Sequence, residues 1–558
     1  MKRIVVVGGV AGGMSAAARL RRLDESARIV VLEKGGDVSF ANCGLPYHVA
    51  DEIVQRSKLL LHTPETLKAG FDLDVRTHHE VLGIDREART VQVRDHSRGT
   101  TYDEPYDALV LATGAEPIVP PFPGVDRPEV RTLRTVPDAD VLRAMLDEGA
   151  TRAVVVGAGF IGLETVEAFR HRGLEVALVE LAPQVLPAID ADMAFLVEQE
   201  LRAHDVDVRT GVGLEAIEDA TSGHEVDVVL ADGSRLPADI VLLGVGVRPS
   251  TALAREAGLE LSQAGAVVVT PQQRTSDPRI WAVGDAIQVH DFVTGAPGVV
   301  PLAGPANRQG RIAADSIMGR GSESRPVMGT AIVRVFGLTA AVTGPTSRRL
   351  KAAGVEHHVV HLMPNDHASY YPGAEKVHMA VLFAPDGKLL GAQAVGRAGV
   401  DKRIDVLATA LRAGFDVDDL AELELAYAPP FGSAHRAERP RRHPRPVVGV
   451  RRRPVPRRLR AAARRALAGG VPQGPPARRG QRAAHGAARP DRRGDGARPR
   501  PPCARHLRVG LPVLPRPPHP RRPRRRLREP RRRHVDPACG TPGHRSRGGI
   551  SPGRDIVT

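Results

Sequence analysis

Cys43 is the strongest candidate for a reactive group in this sequence. It lies in the segment SFANCGLPY at residues 39–47, where Gly44 permits close approach of a ligand and Pro46 favours a turn. A short helix-prone stretch follows, and amides at a helix N-terminus favour the thiolate form. No second cysteine occurs before residue 435, so a C-x₄-C disulfide cannot form there. The sequence therefore predicts either an inert cysteine or one that reacts with a small thiol, a persulfide or an oxidant.

A glycine-rich loop between two short apolar strands precedes this cysteine. The pattern predicts a strand at 4–7, a helix ending at about Leu23, a strand at 29–32 and a strand-end carboxylate, Glu33. The loop places a pyrophosphate on the helix N-terminus, and Glu33 is positioned for a ribose hydroxyl. The predicted loop residues are Gly8, Gly9, Val10, Ala11, Gly12 and Gly13. Because Val10 replaces the middle glycine of G-x-G-x-x-G, this loop alone also fits an ordinary tight turn.

A second loop repeats the pattern with all three glycines in place. It follows a strand at 153–156, and the next strand leads to Glu180. The predicted nucleotide-binding residues are Gly157, Gly159, Phe160, Ile161, Gly162 and Glu180. A carboxylate here accepts a hydrogen bond from a free 2′-hydroxyl and repels a 2′-phosphate, which favours NADH over NADPH. The alternative interpretation of Glu180 is an exposed carboxylate at the end of a strand.

Two dinucleotide loops in one chain indicate electron transfer between two cofactors, commonly a flavin and a nicotinamide. Residues 106–114 predict a strand that runs into a Thr-Gly turn. Residues 280–286 predict a strand that ends in Gly284-Asp285, where the carboxylate can reach a sugar hydroxyl of the flavin chain. An isolated Gly-Asp pair would more commonly be a simple turn, but here it belongs to a consistent series.

These motifs, in this order, resemble the FAD-dependent pyridine nucleotide–disulfide oxidoreductases over about residues 1–434. The resemblance rests on both loops, ATG at 112–114, GVRPS at 246–250 and VGDA at 283–286. SFANCGLPY, with the Val10 variant of the first loop, resembles the single-cysteine branch and its coenzyme A-disulfide reductases. The implied fold class is α/β, with two three-layer Rossmann-like dinucleotide-binding domains and an α+β C-terminal dimerisation domain. The implied domains are FAD-binding (1–118 and 239–320), NAD(P)-binding (119–238) and dimerisation (321–434).

The same resemblance assigns further residues to the cofactors, the substrate and the catalysis. Additional cofactor positions are Lys34, Thr113, Gly114, Gly246, Gly284, Asp285 and Ala303. Helical spacing places Ser15, Arg19 and Arg22 on one face that is either solvated or able to bind phosphates. The resemblance assigns this face, with Ser39 and Asn42, to the coenzyme A (CoA) pocket. It also implies a homodimer in which Tyr371 (or Tyr370) and Tyr427 lie near the partner subunit's Cys43.

The implied reaction is reduction of CoA disulfide, or of a CoA persulfide, by NADH or NADPH through FAD. Cys43 would alternate between a thiolate and a mixed disulfide with CoA, which makes it the catalytic residue beside Tyr371 and Tyr427. The alternative within the branch is an NADH oxidase or peroxidase that forms a sulfenic acid at Cys43. Those enzymes resemble this chain less, because the first loop here offers Val10 and Ala11 and lacks their histidine.

The charge distribution separates residues 1–434 from the rest of the chain. The formal charge is +15, but residues 435–558 hold 36 Arg, no Lys and six acidic residues. This composition predicts a disordered Arg/Pro-rich tail. A genuine tail would bind nucleic acid and make the chain a nucleic-acid-binding flavoprotein, whereas a linker would bind nothing specific. The third hypothesis is a frameshift within a GC-rich gene that truncates the dimerisation domain and replaces a rhodanese-type domain. Resequencing codons 430–440 distinguishes them.

Composition also sets expectations for the cellular environment. No apolar run approaches the ~18 residues needed to cross a bilayer, so an integral membrane protein is not expected. The N-terminus carries no signal-peptide pattern and the single cysteine before residue 435 excludes a disulfide framework there, so the expected location is the cytoplasm. No metal site is expected.

Overall fold

The computed structural model describes residues 1–221 and 223–433. The predictions for the Arg/Pro-rich segment, namely disorder, nucleic-acid binding and a frameshift, lie outside the described residues. The described chain holds two parallel five-stranded sheets and one antiparallel five-stranded sheet. The mixed α/β class, with two nucleotide-type sheets and a third α+β unit, agrees with the fold expected from the sequence.

The first parallel sheet positions the first glycine loop. Alternate residues of its central strands, such as Val5 and Val6, face opposite sides of the sheet. One side packs on helices Ala11–Leu23 and Ala303–Ile317, and the other packs on an antiparallel meander, which produces three layers. The sheet order is Ile280–Ala282, Ala108–Leu111, Arg3–Val7, Arg28–Leu32, Asp74–Arg76, and the meander is His79–Asp85, Thr90–Asp95, Thr100–Pro105.

Shorter elements complete this part of the chain. The remaining helices are Leu45–Val49, Pro64–Phe71 and Ala252–Glu256, with 3₁₀ turns at Asn42–Gly44, Arg56–Lys58 and Gly284–Ala286. Two small strand pairs join Ala115–Pro117 to Val247–Pro249 and Val289–His290 to Pro297–Gly298. The first pair lies where the chain passes between the two parallel sheets in both directions.

The second parallel sheet repeats the architecture of the first. Its alternate residues, such as Val154 and Val155, divide between a meander face and a helix face. The sheet order is Val206–Thr210, Glu175–Glu180, Arg152–Val156, Ile240–Leu243, Val130–Arg131, and the meander is Leu214–Asp219, Val226–Leu230, Arg235–Ala238. The helices are Val136–Asp147, Phe160–His171 and Ala191–Ala203.

One domain boundary predicted from the sequence needs correction. The expected break between residues 238 and 239 placed the next strand in the first domain. That strand, Ile240–Leu243, instead pairs in parallel with Arg152–Val156 of the second sheet. The second domain therefore extends past Leu243, because its central strand needs a neighbour on each side to satisfy its backbone hydrogen bonds.

The third unit is an antiparallel sheet covered by a helix. The sheet order is Ala331–Val335, Leu338–Thr343, Leu389–Gly396, His378–Phe383, His358–Leu362. All eight residues of its central strand Leu389–Gly396 are buried, and helix Val400–Ala413 packs on the sheet through Ile404, Leu407 and Leu411. Helices Ser347–Ala352 and Val417–Glu422 complete the unit. Segment 423–433 then runs back over the surface of this unit.

Candidate active site

The parallel register of the first sheet brings most of the predicted flavin residues to one edge. Val7 aligns with Leu32 and with Leu111, and Leu111 aligns with Ala282. The loops that leave the carboxyl ends of these strands are therefore neighbours, as in other doubly wound sheets. They carry the first glycine loop, Glu33 with Lys34, Thr113 with Gly114, and Gly284 with Asp285. Residues far apart in sequence thus form one site.

The first glycine loop is held in place by backbone contacts and by Glu33. The Glu33 carboxylate accepts hydrogen bonds from the amides of Gly9 and Gly35, each at 2.8 Å. A Cβ on Gly8 would lie 2.2 Å from the Ala112 carbonyl oxygen, and a Cβ on Gly13 would lie 1.9 Å from the Gly8 carbonyl oxygen. Glycine is therefore required at both positions by the protein itself.

The second glycine loop has the same construction. Glu180 accepts hydrogen bonds from the amides of Ala158 and Ala182, each at 2.7 Å. A Cβ on Gly162 would meet the Gly157 carbonyl oxygen at 1.9 Å, and one on Gly157 would meet the Gly244 carbonyl oxygen at 2.4 Å. Phe160 and Ile161 begin the helix that follows. The site predicted from residues 157–180 is thus assembled at the edge of the second sheet.

Both loops fit the phosphates of a dinucleotide. The N-cap residues, Val10 and Gly159, provide no side-chain hydrogen bond to the helix that follows, and neither first turn contains an acidic residue. The first amides of each helix are therefore available to a phosphate and repelled by no local carboxylate. FAD and a nicotinamide dinucleotide are the groups that this pair of sites suits. The N-terminus of helix Ala11–Leu23, where Gly12 lies close to Val283, would hold one of these two cofactors.

Turns beyond the first loop connect the flavin-type edge to neighbouring segments. The Thr113 hydroxyl donates to the Ser250 carbonyl at 2.6 Å, which joins the ATG turn to the GVRPS segment. Gly246 accepts from the Ile118 amide, and Gly284 donates to the Gln309 side chain at 2.8 Å. Ala303 begins the helix that supplies Gln309, and this helix has no side-chain cap at its N-terminus. These predicted positions all lie on structured turns around the same edge.

Cys43 lies in the 3₁₀ turn Asn42–Gly44, directly before helix Leu45–Val49, and its thiol is free and exposed. The sequence led us to expect an activated thiolate. Instead, the surrounding protein mass, followed by the negative charges of Glu164 and Asp285, raises the pKa of the Cys43 thiol. The helix amides do not offset these effects, because the helix is only five residues long. The prediction of a lowered pKa is therefore wrong for the protein alone.

The role expected for Gly44 also changes. Its φ of −83° is accessible to any residue, and an added Cβ would lie 2.9 Å from the Leu59 side chain. The glycine therefore makes room for the buried Leu59 side chain beneath the turn that carries Cys43.

Arg134 is a residue of this site that the sequence did not reveal. In the amide orientation that satisfies both groups, Asn42 donates to the Arg134 carbonyl at 2.9 Å and accepts from its guanidinium at 2.7 Å. Arg134 also donates to the Ala115 carbonyl at 2.9 Å. Its positive charge partly offsets the effect of burial, which raises the pKa of Asp285. No sequence pattern pointed to this arginine, because it lies in a loop outside every recognisable motif.

The predicted CoA-binding residues separate into three environments. Arg19 forms an ion pair with Asp315 at 2.9 Å, and the Ser15 hydroxyl bonds Asn307 at 2.9 Å, so both are tied to helix Ala303–Ile317. Arg22 is exposed, with its guanidinium 5.8 Å from the centre of the Phe71 ring. Ser39 is only 4% exposed, so its side chain offers little surface to a large substrate.

Two loop tyrosines contact each other, and they are Tyr370 and Tyr427 rather than Tyr371 and Tyr427. The hydroxyls of Tyr370 and Tyr427 lie 2.7 Å apart, and this hydrogen bond raises the pKa of Tyr370. Tyr371 instead packs edge-on against His367, with ring centres 5.6 Å apart. Tyr370 and Tyr427 are 71% and 47% exposed, so they face solvent in the single chain. The structure therefore brings together Tyr427 and Tyr370, the residue given as the alternative to Tyr371.

The described ranges, 1–221 and 223–433, lack two features, a metal-type cluster and a membrane-spanning helix. They contain no group of three or more His, Cys, Asp or Glu side chains arranged to hold a metal ion. They also contain no helix that is long and apolar enough to cross a membrane.

The described chain combines two nucleotide-type parallel sheets, an exposed cysteine in a 3₁₀ turn and an antiparallel third unit, which is the architecture of the flavin-dependent disulfide oxidoreductases. Residues 2–310 match the family described as pyridine nucleotide-disulphide oxidoreductase, and residues 330–438 match its dimerisation domain. The chain belongs to this family, whose members use FAD and NAD(P)H, and it is an FAD-dependent oxidoreductase acting on a sulfur group. The dimerisation domain supports a homodimer.

Individual relatives point to the single-cysteine branch. A coenzyme A disulfide reductase of Staphylococcus epidermidis is 35% identical over 439 residues, which cover 77% of this chain and 97% of that protein. An NADH oxidase of Methanocaldococcus jannaschii is 34% identical over 435 residues, covering 78% and 96%. The crystal structure of reduced Bacillus anthracis CoADR-RHD shares 47% identity, with a TM-score of 0.76 over 78% of each chain.

Proposed function

We propose that this protein uses NAD(P)H to reduce CoA disulfide, or a CoA persulfide, through a mixed disulfide between Cys43 and CoA. The observation that carries the proposal is an exposed, free Cys43 beside a flavin-type site, with no second cysteine among the described residues. An enzyme of this family with one cysteine in that position needs an external sulfur to complete its redox pair. The relatives named coenzyme A disulfide reductase support CoA as that sulfur carrier.

Each turnover of the proposed cycle uses two electrons and forms one new disulfide bond. The Cys43 thiolate attacks one sulfur of CoA disulfide, forms the Cys43–S–S–CoA bond and expels CoA thiolate, which takes a proton from water. Bound FAD supplies the path by which two electrons from the nicotinamide reach this mixed disulfide. Cleavage of the bond then releases the second CoA and restores the Cys43 thiolate for the next turnover.

The raised pKa of Cys43 favours a mixed disulfide as the resting state. In that state Cys43 has no thiol proton to lose, and reduction of the bond delivers the thiolate directly beside the incoming disulfide. The reaction therefore avoids ionising a thiol that burial and two carboxylates oppose. Asn42 and Arg134 lie next to the cysteine and would position the CoA end of the bond.

The anionic substrate would bind along the helix face of Ser15, Arg19 and Arg22. Two more arginines extend this positive surface on the neighbouring helix, because Arg308 and Arg311 follow Asn307, the partner of Ser15. Burial, and to a lesser extent the positive charge of Arg311, lower the pKa of Arg308. An anionic ligand relieves such repulsion, which suits the phosphates of CoA.

The tyrosine pair would act on the partner subunit's Cys43 in the homodimer. Tyr370 and Tyr427 are exposed, share a hydrogen bond and lie on the dimerisation domain. A phenolic hydroxyl can donate a hydrogen bond to a thiolate or to a leaving sulfur. Tyr371 remains a candidate for the same role, since it is adjacent and 43% exposed.

The cofactor sites are proposed as FAD on residues 8–34 and the nicotinamide dinucleotide on residues 157–180. NADH is the favoured reductant, because a carboxylate at the end of this strand would repel a 2′-phosphate. Its two hydrogen bonds to backbone amides fix the carboxylate at that position.

A second candidate function is NADH oxidation by oxygen through a sulfenic acid at Cys43. The 34% identical NADH oxidase favours it, whereas the first glycine loop lacks the histidine that we associate with that chemistry. The two functions differ in the oxidant and in the fate of Cys43.

The deciding assay follows NAD(P)H oxidation by the FAD-loaded full chain, with CoA disulfide or with oxygen as the oxidant. We expect turnover with CoA disulfide that greatly exceeds turnover with oxygen, and loss of the CoA-disulfide activity in Cys43→Ser. Full activity of that variant would refute the mechanism. Turnover with oxygen alone would select the second function instead.

A further inference from the structure

One loop of the third unit, residues 364–376, carries Tyr370 at its tip. Near the base of the loop, the Asp366 amide donates to the Glu375 carbonyl at 2.8 Å. The Asp366 carboxylate in turn accepts from the Glu375 amide at 2.9 Å. The two sides of the loop are therefore joined at this point, and the tip beyond it needs further contacts to hold Tyr370 in one position.

His367 spans the tip of this loop with both of its ring nitrogens. Its Nδ1 lies 2.7 Å from the Asp366 carboxylate, and its Nε2 lies 3.2 Å from the Pro372 carbonyl oxygen. The histidine side chain is 12% exposed, so little of the ring is in contact with solvent. The imidazole therefore joins the two ends of segment 367–372, which carries Tyr370.

The two acceptors require a doubly protonated ring. A carboxylate and a carbonyl oxygen only accept hydrogen bonds, so both ring nitrogens must donate, and only an imidazolium has two N–H groups. Although burial opposes it, the hydrogen bonds from the Glu375 amide and from His367 keep the pKa of Asp366 below its ordinary value. The hydrogen bond to Asp366 is the largest effect on His367, and it raises the pKa of that histidine.

Other charged groups lie on the elements that contact this loop, but they have other partners. Arg403 donates to the main-chain carbonyls of Asn365 and Asp366, at 2.6 and 3.1 Å, and Lys402 donates to the Phe431 carbonyl. The Glu375 carboxylate pairs with Arg397 at 3.7 Å. The titratable groups around the histidine are Asp366, Tyr371 and Glu375 on the loop, Asp401, Lys402 and Arg403 on helix Val400–Ala413, and Glu424 and Tyr427 on segment 423–433.

The same tip contacts the segment that carries Tyr427. The amide of Ala368, a buried residue, donates to the Pro429 carbonyl at 3.2 Å. Two residues further on, the Tyr370 hydroxyl meets that of Tyr427 at 2.7 Å. Because Ala368 directly follows His367, a change in the contacts of the histidine acts on both links between the two segments.

We propose that His367 is a positioning residue for the Tyr370–Tyr427 pair, because its imidazolium, shared between Asp366 and the Pro372 carbonyl, fixes the loop tip that carries Tyr370. The ring acts through its two hydrogen bonds, and no proton is transferred during turnover. The inference rests on the proposed function in one respect, namely that the tyrosine pair acts on the partner subunit's sulfur. The response of the loop to pH is independent of that function.

The raised pKa sets the direction of this response. Below the pKa of His367 the ring holds both contacts. As the pH rises through that pKa, the neutral ring retains one N–H, which stays with the charged Asp366 because a hydrogen bond to a charged acceptor is the stronger one. The Nε2 lone pair then faces the Pro372 carbonyl oxygen, so the tip loosens and the tyrosine pair loosens with it.

The test is backbone hydrogen exchange in the FAD-loaded full chain, measured by peptide mass at a series of pH values and corrected for the intrinsic pH dependence of exchange. The peptides of interest cover residues 364–376 and 424–433. We expect the protection of both peptides to fall together, roughly tenfold, as the pH rises through the pKa of His367, as for loss of a hydrogen bond made by a charged group. Constant protection, or a fall in the first peptide alone, would overturn the proposal.

Two variants tie this response to the ring. His367→Gln removes the titrating group, so protection should be low and the same at every pH. Asp366→Asn lowers the pKa of His367, so the fall in protection should move to lower pH, and this variant keeps the proposal testable where His367→Gln fails to retain FAD. A fall at the wild-type pH in either variant would show that the ring does not control the loop.

His361→Gln is the matched control. His361 also pairs with an aspartate, Asp192, at 3.2 Å, and it lies on strand His358–Leu362, which leads into the loop. Both peptides should keep the wild-type profile in this variant, and a profile like that of His367→Gln would contradict a specific role for His367. Exchange needs no disulfide substrate, so a wild-type protein that fails to turn over CoA disulfide refutes the proposed function without affecting this result.

Discussion

The two glycine-loop helices begin in the same way but carry side chains of opposite charge. Both helices begin at an N-terminus without a side-chain cap. In each case a strand-end carboxylate holds the glycine loop by accepting hydrogen bonds from two backbone amides. The first helix then presents Ser15, Arg19 and Arg22, whereas the second presents Glu164 and Glu167. Backbone packing fixes the loop and the start of each helix, whereas the side chains further along the helix are free to differ. The first face would bind an anionic substrate, and the second carries two carboxylates that contact Tyr47 and Arg334.

The N-cap position shows which part of the glycine pattern the protein itself requires. Val10 adopts φ −113° and Gly159 adopts φ −78°, neither of which lies in the left-handed region that favours glycine, and a Cβ on Gly159 would meet no other protein atom within 4 Å. By contrast, Gly13 and Gly162 have no room for a Cβ. The packing of the protein itself therefore does not require the missing middle glycine of the first loop, although its absence weakened the sequence signal.

The largest effect is expected from the third glycines of the two loops. Gly13→Ala and Gly162→Ala each drive a methyl group into a backbone carbonyl at 1.9 Å, so the loop must open. We expect Gly13→Ala to lose FAD, and Gly162→Ala to keep FAD but lose its reduction by NADH. Flavin absorbance and anaerobic reduction by NADH measure the two outcomes. Gly70→Ala, at an exposed helix position where an added Cβ would meet nothing within 4 Å, should keep both, and an equal loss in all three variants would contradict this difference.

A smaller effect is expected from the two strand-end carboxylates. Glu33→Gln and Glu180→Gln each weaken two hydrogen bonds from backbone amides, which for charged acceptors are worth about 1.5–3 kcal/mol each. Glu33→Gln should weaken FAD binding, and Glu180→Gln should raise KM for NADH and reduce discrimination against NADPH. FAD titration of the apoprotein and steady-state kinetics with both nucleotides check this. If Glu180→Gln left the NADH to NADPH ratio unchanged, Glu180 would not select the cofactor.

The arginine face should influence substrate binding rather than the chemical step. We expect Arg19→Gln and Arg22→Gln to raise KM for CoA disulfide roughly tenfold while kcat stays close to wild type. Arg98→Gln serves as the control, because Arg98 is an arginine of the same domain with a side chain that is 82% exposed. Equal kinetics in all three variants would assign the face to solvent.

The smallest effect is expected for Val10→Gly, which restores the general fingerprint. Because Val10 has a negative φ, which does not require glycine, the change mainly adds freedom to the unfolded chain, at a cost of about 1 kcal/mol or less. FAD affinity should stay within a few-fold of wild type, as measured by titration. A large gain in affinity would show that the valine obstructs the cofactor.

Local patterns predicted the parts of this molecule that depend on adjacent residues. The helix expected to end at about Leu23 does end there, and the loops of residues 8–13 and 157–162 occupy the expected strand-to-helix turns. Parallel pairing of the strands around each glycine loop could also be expected, since a crossover helix joins them. The NAD(P) boundary failed because Ile240–Leu243 reads as an apolar run that could join either sheet.

Contacts between distant residues could not be predicted in the same way. Arg134 reaches Asn42 across the fold, and Arg334 reaches Glu167 from another sheet, so neither has a local sequence signal. The pKa of Cys43 was misjudged for the same reason. A helix that follows in sequence was visible, whereas Glu164 and Asp285, brought beside it by the fold, were not.

The most direct test of the account is the covalent state of Cys43 after exposure to CoA disulfide. The FAD-loaded full chain is incubated with CoA disulfide and digested without reductant, and the peptide that contains Cys43 is weighed. We predict a mass increase of one CoA moiety, which NADH removes with release of one equivalent of CoA. A Cys43 peptide that stays a free thiol, or that gains only oxygen, would contradict the mixed-disulfide mechanism.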